Sequence, residues 1–281
     1  MIAQRRARLL WLGLLFLALP LSGSTEEAAR APRRLRASPG LAVTDGGSWK
    51  TIQKGAEFRK LSLERAEPHQ FIELKLVRFD TRWIVPRVVP SMQYRLKNAS
   101  VRTLAEKSGA LAMINANYFD EKGMALGFFK AGGEANPSIS KSPLFTGVFA
   151  IKDRVPFIAH RDQFALEQAD EGLQAGPLLL AKGSALTVTR GAERQFRRSL
   201  IGIDSAQRLV IAVTDNLFGG LTWVELQEIF GAAEWRVQVS DLLNLDGGGS
   251  TQLHVKMGQF EESVPGAAEV PVAIGFFPKA N

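Results

Sequence analysis

The chain has 281 residues, a formal net charge of +7, 46% hydrophobic residues and a mean hydropathy of -0.02. This composition excludes a globally disordered protein, because it supplies enough apolar side chains for a full-sized core. Cysteine is absent, which excludes disulfides, thiolate zinc sites, cysteine nucleophiles and lipid attachment through a cysteine.

The first 24 residues are predicted to form a secretory signal peptide. Arg5, Arg6 and Arg8 precede an apolar stretch at 9–21, and Ser22 and Ser24 supply the small residues of a cleavage site. The apolar stretch is shorter than the roughly 20 residues that cross a bilayer, which disfavours a retained membrane anchor. We therefore expect an exported protein, in the bacterial periplasm or secreted, with no stable membrane span after cleavage.

Residues 25–44 are expected to be a flexible basic arm, because the run RAPRRLR at 30–36 has no periodicity. Removal of the first 24 residues lowers the formal charge to about +4, which does not support nucleic-acid binding. Residues 45–281 are predicted to be one domain, since no linker or repeat interrupts them.

Strand and helix patterns alternate along this domain. Alternating polarity predicts a strand at 70–79, and a short helix at 101–110 is ended by Gly109. Further strands are predicted at 111–115, 146–151, 155–160 and 177–183, with a hairpin at 199–215. These elements predict an α+β fold with a mixed β-sheet core flanked by helices.

A second helix is predicted to begin after Thr222. The Thr222 hydroxyl can accept from the backbone N–H of Glu225, while the Glu225 carboxylate accepts from that of Thr222, which is a capping box. This helix is predicted to end near Gly231. Trp223 is expected to be buried together with the apolar residues of the helix.

The stretch LLNLDGGGST at 242–251 places a carboxylate and bare backbone after an apolar strand. LLNL has too few polar positions for a half-exposed strand, so a central position in the sheet is expected. The N–H groups of consecutive glycines can converge on an anion, and Asp246 would lie beside that ligand. The alternative is a plain tight turn, since a strand pattern resumes at STQLHVK.

Six segments resemble the phosphodiester glycosidase family in the family's order, over roughly residues 105–280. They are MINANYF, AGPLLLAKG, RRSLIGID, LVIAVTDN, GLTWVELQEIF and LNLDGGGST. The family includes the animal uncovering enzyme, N-acetylglucosamine-1-phosphodiester alpha-N-acetylglucosaminidase, and bacterial proteins connected with exopolysaccharide. Relatives tend to have Asn-Gly-Gly-Phe-Phe where this chain has NANYF at 115–119, which leaves the substrate open.

The resemblance implies an exported hydrolase that cleaves the C1–O bond of a sugar 1-phosphodiester in an envelope or extracellular glycan. The leaving group is then a phosphate monoester, a stable anion that needs little general-acid help. Asp246 and Asp215 end apolar strands and are the candidate catalytic carboxylates, and Arg198 can hold phosphate oxygens in bidentate fashion. Candidate substrate-binding residues are Asn115, Asn117, Tyr118, Asn216, Gly247, Gly248, Gly249, Ser250 and Thr251.

Structural alternatives stand beside these roles: Asp215 capping a loop, Arg198 pairing with Asp204, and Tyr118 filling the core. The competing function is a non-catalytic protein for glycan binding or envelope polysaccharide assembly on the same scaffold. A third alternative is a hydrolase that attacks phosphorus instead of C1. For the glycosidase and for the glycan-binding protein, the expected partner is a glycan or sugar-phosphate substrate. The oligomeric state stays open.

Glu134 and the three histidines are further candidates for catalysis or metal binding. Glu134 lies in the Gly/Ser/Pro-rich segment KAGGEANPSISKSP at 130–143, which is expected to be a mobile flap. His69, His160 and His254 lack zinc-site spacing, although a divalent cation such as calcium or magnesium at Asp246 or Asp215 stays open. Ser250 and His254, about 13 Å apart on one strand, are too distant for a serine hydrolase.

Overall fold

The structure is a computed structural model that describes residues 32–216 and 218–279. The predicted signal peptide and residues 25–31 of the predicted arm lie outside the described residues. Within the described part, no helix is long and apolar enough to cross a membrane.

Strands make up most of the secondary structure. The α-helices are α1 (Val101–Ser108) and α2 (Trp223–Gly231), and 3-10 helices occupy Ser91–Tyr94, Arg161–Gln163, Leu166–Gln168, Ala233–Trp235 and Gly248–Ser250. The strands are β1 (Arg33–Arg34), β2 (Leu41–Asp45), β3 (Lys50–Gln53), β4 (Ala56–Arg65), β5 (Gln70–Phe79), β6 (Ile84–Pro90), β7 (Ala112–Asn115), β8 (Phe129–Ala131), β9 (Glu134–Asn136), β10 (Gly147–Lys152), β11 (Val155–His160), β12 (Glu171–Ala175), β13 (Leu178–Ala181), β14 (Ser184–Ala185), β15 (Ser199–Ile203), β16 (Leu209–Asp215), β17 (Asp241–Asn244), β18 (Leu253–Met257), β19 (Phe260–Val264) and β20 (Val272–Pro278).

These strands form three sheets within the described ranges. The large sheet has the order β1-β2-β4-β5-β16-β15-β17-β13-β14, with β3 paired to β4. The second sheet has the order β11-β10-β12-β8-β9, and the third has the order β19-β18-β7-β20-β6.

The prediction of a mixed sheet was wrong, because the paired strands of the described residues are antiparallel. Short turns return the chain beside itself, as between β10 and β11, and such turns join only antiparallel strands. The coarser α+β class agrees with the structure, which is rich in sheet and has two α-helices in its described part.

The individual elements follow the predicted patterns closely. Successive side chains of β5 enter different cores, with Ile72 and Leu74 in one and Val77 and Phe79 in another. The Ser100 hydroxyl accepts from Thr103 N at the start of α1, and Gly109 ends the helix with a φ of 74°. The capping box between Thr222 and Glu225 is present at α2. Local sequence therefore explains where these elements begin and end.

The large sheet has two buried faces. One face packs against the second and third sheets and is called the inter-sheet face; it carries Val77, Ile201, Ile211 and Leu243. The opposite face packs against α2 and is called the helix face; it carries Leu74, Leu200, Ala212 and Leu242. A side chain of a central strand therefore enters one of two different environments, according to its parity along the strand.

The described part of the predicted arm is built into the sheet instead of being flexible. β1 pairs with β2 and β2 with β4, and Leu35 and Leu41 are 1% and 0% exposed. The backbone N–H groups of Arg36 and Ala37 donate to the Glu228 carboxylate of α2, at 2.8 and 2.7 Å. The prediction was wrong for 32–44 because its few leucines fill the core on the helix face, despite the basic residues between them.

Candidate active site

Asp246 follows β17, an interior strand of the large sheet, as the apolar LLNL stretch predicted. Its backbone is tied to the end of β7: Asp246 N donates to Ala116 O at 2.9 Å, and Asn115 Nδ2 donates to Asp246 O at 2.7 Å. These bonds fix the backbone of Asp246 beside the end of β7.

The Asp246 carboxyl is partly buried and electrostatically perturbed. Burial raises its pKa to about 6, although hydrogen bonds from the Ser250 hydroxyl and the Gly247 N–H act in the opposite direction. The carboxyl is therefore mostly ionised at neutral pH, yet it becomes protonated in mildly acidic solution.

A cavity of about 950 Å³ opens beside this carboxylate. It is lined by five of the predicted site residues: Tyr118, Arg198, Asp246, Gly247 and Gly248. The rest of the wall comes from residues within 142–146 and 186–196, from Trp223 at the start of α2, and from His160, Arg161, Pro177 and Leu178. Such a volume lies in the range of about 300 to 1,000 Å³ that ligand cavities occupy.

Arg198 is buried in the wall of this cavity without a counter-ion. It is 4% exposed, donates from Nε to Leu221 O at 2.8 Å and from Nη2 to Arg194 O at 2.5 Å, and lies 4.8 Å from the Trp223 ring centre. No carboxylate of the described residues pairs with it, and Asp204 pairs with Arg208 at 2.8 Å instead.

Burial lowers the pKa of Arg198 to about 10, so the guanidinium is charged at neutral pH. A buried cation that is held only by carbonyl oxygens and aromatic faces is stabilised by an anion in the adjoining cavity. The geometry therefore suits Arg198 to binding a phosphate group.

Three more arginines line the cavity: Arg161, Arg190 and Arg194. Asp246 is the one carboxylate among the lining residues of the described chain. This imbalance gives the cavity a positive potential, which favours anionic ligands. Sequence reasoning missed these arginines, although Arg190, Arg194 and Arg198 recur at a spacing of four residues.

Tyr118 contributes a ring face, since its hydroxyl is already engaged. The hydroxyl donates to Gly176 O at 3.0 Å and accepts from Asn244 Nδ2 at 3.1 Å. Burial, together with the Asp246 charge, raises the pKa of Tyr118 above its ordinary value, so the phenol stays protonated. The predicted stacking role is compatible with this placement, and the buried Asn244 was missed by sequence reasoning.

The glycine run forms a tight turn in which the N–H groups of Gly247 and Gly248 already have protein partners. Gly247 N donates to Asp246 Oδ1 and Gly248 N donates to Arg197 O, both at 2.9 Å. A Cβ at Gly247 would lie 2.7 Å from the Arg197 carbonyl oxygen, and Gly248 has a φ of +58°. These bonds give no support to the predicted anion-binding nest; the glycines allow close approach of two backbones and a left-handed turn.

Asp215, the second candidate carboxylate, does not line the cavity. Its Oδ2 lies 2.7 Å from Nζ of Lys75, which also contacts Glu262 of β19 at 3.0 Å. Asp215 has the parity of Val213 and Ile211, so its side chain leaves β16 on the inter-sheet side. This position gives no support to the predicted catalytic role.

The remaining predicted binding residues do not line the cavity. Asn115 is buried and supports the turn, since Oδ1 accepts from Ser199 Oγ at 2.7 Å and from Gln252 N at 3.0 Å. The other residues in this group are Asn117, Asn216, Gly249, Ser250 and Thr251. The predicted amide contacts to sugar hydroxyls are therefore absent from the described lining residues.

The expected flap is held in place at its C-terminal end. Gln174, which is fully buried, donates to Ser140 O and Phe145 O, and Arg161 donates to Ser142 O. Glu134 lies in β9, is exposed and does not line the cavity. The segment contributes Ser142 and Pro143 to the wall of the cavity. Hydrogen bonds from the distant side chains of Gln174 and Arg161 hold it there, and sequence patterns did not reveal them.

The model of the phosphodiester glycosidase family matches residues 108–277, a span that contains Asp246, Arg198 and Tyr118. This chain belongs to the phosphodiester glycosidase family. The family predicted by the six sequence segments is confirmed. A comparison with curated protein sequences gives no match.

Two solved structures resemble this phosphodiester glycosidase family member. The catalytic domain of zebrafish N-acetylglucosamine-1-phosphodiester alpha-N-acetylglucosaminidase, described as auto-inhibited by its pro-peptide, is 14% identical with a TM-score of 0.60; the match covers 84% of this chain and 86% of that one. A hypothetical protein from Synechocystis is 16% identical with a TM-score of 0.58, covering 85% and 65% of the two chains. At these identities the likeness shows the fold alone.

The donor set of the phosphodiester glycosidase cavity does not suit a divalent cation. Calcium and magnesium need several oxygen ligands, whereas the lining offers one carboxylate among four arginines that would repel a cation. Elsewhere in residues 32–216 and 218–279, no group of three His, Cys, Asp or Glu residues is arranged for a metal ion. His160 lines the cavity, and His254 pairs with Ser263 at 2.7 Å instead of with Ser250.

Proposed function

We propose that the protein is an exported glycosidase that hydrolyses the C1–O bond of a sugar 1-phosphodiester in an envelope or extracellular glycan. One observation carries this proposal: Asp246 and the counter-ion-free Arg198 line the same cavity. The family membership supports the reaction class, and the N-terminal sequence pattern supports export.

The single carboxylate suits a phosphate leaving group. Most glycosidases use two carboxyl groups, one of which protonates the leaving oxygen. A phosphate monoester leaves as a stable anion, so the role of the proton donor is unnecessary and one carboxylate suffices. Asp246, ionised at neutral pH, then stabilises the positive charge that develops at C1, as nucleophile, base or electrostatic partner.

The arginines act on the phosphate side of the scissile C1–O bond. As the C1–O bond breaks, negative charge increases on the phosphate, and a preorganised guanidinium stabilises this charge without reorganisation of solvent. Arg198 suits this role because Leu221 O, Arg194 O and the Trp223 ring hold it in one orientation.

The test is hydrolysis of a panel of sugar 1-phosphodiesters in water labelled with ¹⁸O. Wild type is compared with Asp246→Asn and with Asp215→Asn, a matched control that removes the carboxylate outside the cavity. We expect free sugar carrying the label at C1, with release lost only in Asp246→Asn.

Other outcomes would contradict the proposal. Label in phosphate would indicate attack at phosphorus. Binding without turnover of any panel member, sensitive to Asp246→Asn, would support the non-catalytic glycan-binding alternative.

A further inference from the structure

The wall of the cavity is amphiphilic. Beside the arginines, its surface consists largely of apolar side chains from four segments, including Pro143, Leu144, Leu178, Leu186, Val188 and Trp223. Polar side chains are present as well: Ser142, Thr146, Thr187, Thr189 and His160 line the cavity, whereas the candidate asparagines lie outside the lining.

The size of the cavity leaves room for an apolar part of the substrate. About 950 Å³ lies near the upper end of the range for ligand cavities. The segment that carries Leu186 and Val188 also carries Arg190 and Arg194. One segment of the wall therefore supplies both apolar surface and positive charge, which is complementary to an amphiphilic anion.

Two exposed aromatic side chains lie on neighbouring segments, one of which lines the cavity. Phe196 lines it and is 47% exposed, and Phe218, 81% exposed, lies on the neighbouring turn. Leu221 N on that turn donates to Phe196 O at 3.1 Å, which keeps the two segments together. Exposed aromatic rings beside arginines are typical of surfaces that rest on anionic membranes, where the rings enter the interface and the cations meet lipid headgroups.

We propose that the substrate is a lipid-linked sugar 1-phosphodiester, in which the phosphate lies at Arg198 and the lipid chain follows Leu186 and Val188 past Phe196 to the membrane. This inference rests on the proposed function. The water oxygen forms a bond to C1 while the C1–O bond breaks, and the electron pair of that bond stays on the phosphate oxygen. The products are free sugar and a lipid phosphate monoester, and the proton of the water passes through Asp246 to solvent.

The test uses two esters of one sugar 1-phosphate, with methanol and with farnesol, both assayed with phosphatidylglycerol vesicles. We expect kcat/KM to be at least about tenfold higher for the farnesyl ester, because its chain is buried against apolar wall. Equal values would overturn the inference and leave the proposed function standing.

If neither ester is cleaved, the proposed function fails, and calorimetric binding of farnesyl phosphate and methyl phosphate then decides the inference. Tighter binding of farnesyl phosphate supports an amphiphilic ligand, whereas equal binding overturns it.

A pair of variants tests the contact with the membrane. Phe218→Ser is expected to lower kcat/KM several-fold for the farnesyl ester in vesicles and to leave the methyl ester unchanged, since Phe218 does not line the cavity. The matched control is Trp83→Ser, which removes an aromatic residue that is 45% exposed. Gln70 begins β5, and its side chain lies beside Gly219, next to Phe218 in the chain. Trp83 follows the other end of this strand, so Trp83 and Phe218 are roughly 30 Å apart.

Trp83→Ser should change neither rate. An equal loss on both esters in Phe218→Ser, or no loss on either, would overturn the inference.

Discussion

Asp215 and Asp246 end two strands of the same sheet, β16 and β17, which are separated only by β15. Their local sequences are alike, an apolar run followed by a carboxylate and small or polar residues. Asp215 shares its parity with Val213 and points to the inter-sheet side, where Lys75 pairs with it. Asp246 lies two residues beyond the last residue of β17 and borders the cavity.

The surroundings of the two carboxylates explain why only one is suited to catalysis. Burial lowers the pKa of Lys75, but hydrogen bonds to Asp215 and Glu262 outweigh it and hold that pKa above the ordinary value. The Asp215 charge is thus neutralised by a structural ion pair. Asp246 has hydrogen-bond donors but no ion pair among the described residues, so its charge stays available to a ligand.

The sharpest test of this comparison is loss of each carboxylate in turn. Asp246→Asn should lower kcat by about 10³-fold, because a preorganised charge at the reacting centre is removed. Asp215→Asn should change kcat less than about threefold, because its carboxylate serves a structural pair. Steady-state kinetics on a cleaved phosphodiester measures both, with circular dichroism to verify folding. Similar losses in the two variants would contradict the assignment.

Loss of the buried guanidinium should have the next largest effect. Arg198→Ala is expected to lower kcat/KM by about 10²-fold, since the phosphate loses a charge-assisted bidentate partner. Arg198→Lys should recover only part of this loss, because an ammonium cannot reproduce the planar fork.

The control for Arg198→Ala is Arg208→Ala, which removes an arginine paired with Asp204 outside the cavity. If Arg208→Ala lowers kcat/KM as much, the effect is one of general charge and not of the cavity.

The pKa of Asp246 predicts a pH dependence of moderate size. If the ionised carboxylate is required, kcat/KM should fall as pH decreases through about 6 and be about tenfold lower at pH 5 than on the plateau. The Asp215→Asn variant should show the same profile. A midpoint near 4, the value of an exposed aspartate, would assign the titration to a different group.

The smallest effect on catalysis is expected on the inter-sheet side. Lys75→Met leaves Asp215 and Glu262 without their shared cation. The fold should lose about 1 to 3 kcal/mol of stability, less than for a fully buried pair, because both carboxylates are partly exposed to solvent. The melting temperature should fall by several degrees while kcat stays near wild type. A large loss of kcat without a change in melting temperature would show that this cluster acts on the reaction.

Sequence patterns were sufficient for elements whose cause is local. The alternation in β5, the caps of α1 and the capping box of α2 depend on residues within four positions of one another. The position of Asp246 after a central strand was predicted for a similar reason, since its preceding residues are apolar on both faces.

The composition of the site was less accessible to sequence reasoning. Asn115 was predicted to contact substrate, yet its amide supports the turn after β17 from a strand more than a hundred residues earlier. The glycine N–H groups were expected to bind an anion, but that of Gly247 donates to Asp246 Oδ1 and that of Gly248 donates to Arg197 O, which a distant segment supplies. Long-range hydrogen bonds of this kind leave no periodic pattern in the sequence.

The amino-acid sequence by itself determined the family and the main strands and helices. It also identified Asp246, which follows a strand, and Arg198 as candidate catalytic residues. Tertiary structure alone decided that Asp246 and Arg198 share a cavity while Asp215 is bound to Lys75, and that Arg190 and Arg194 join the same wall. The physical reason is that parity along a strand selects a face, but the contents of each face come from distant segments whose packing is set by the whole chain.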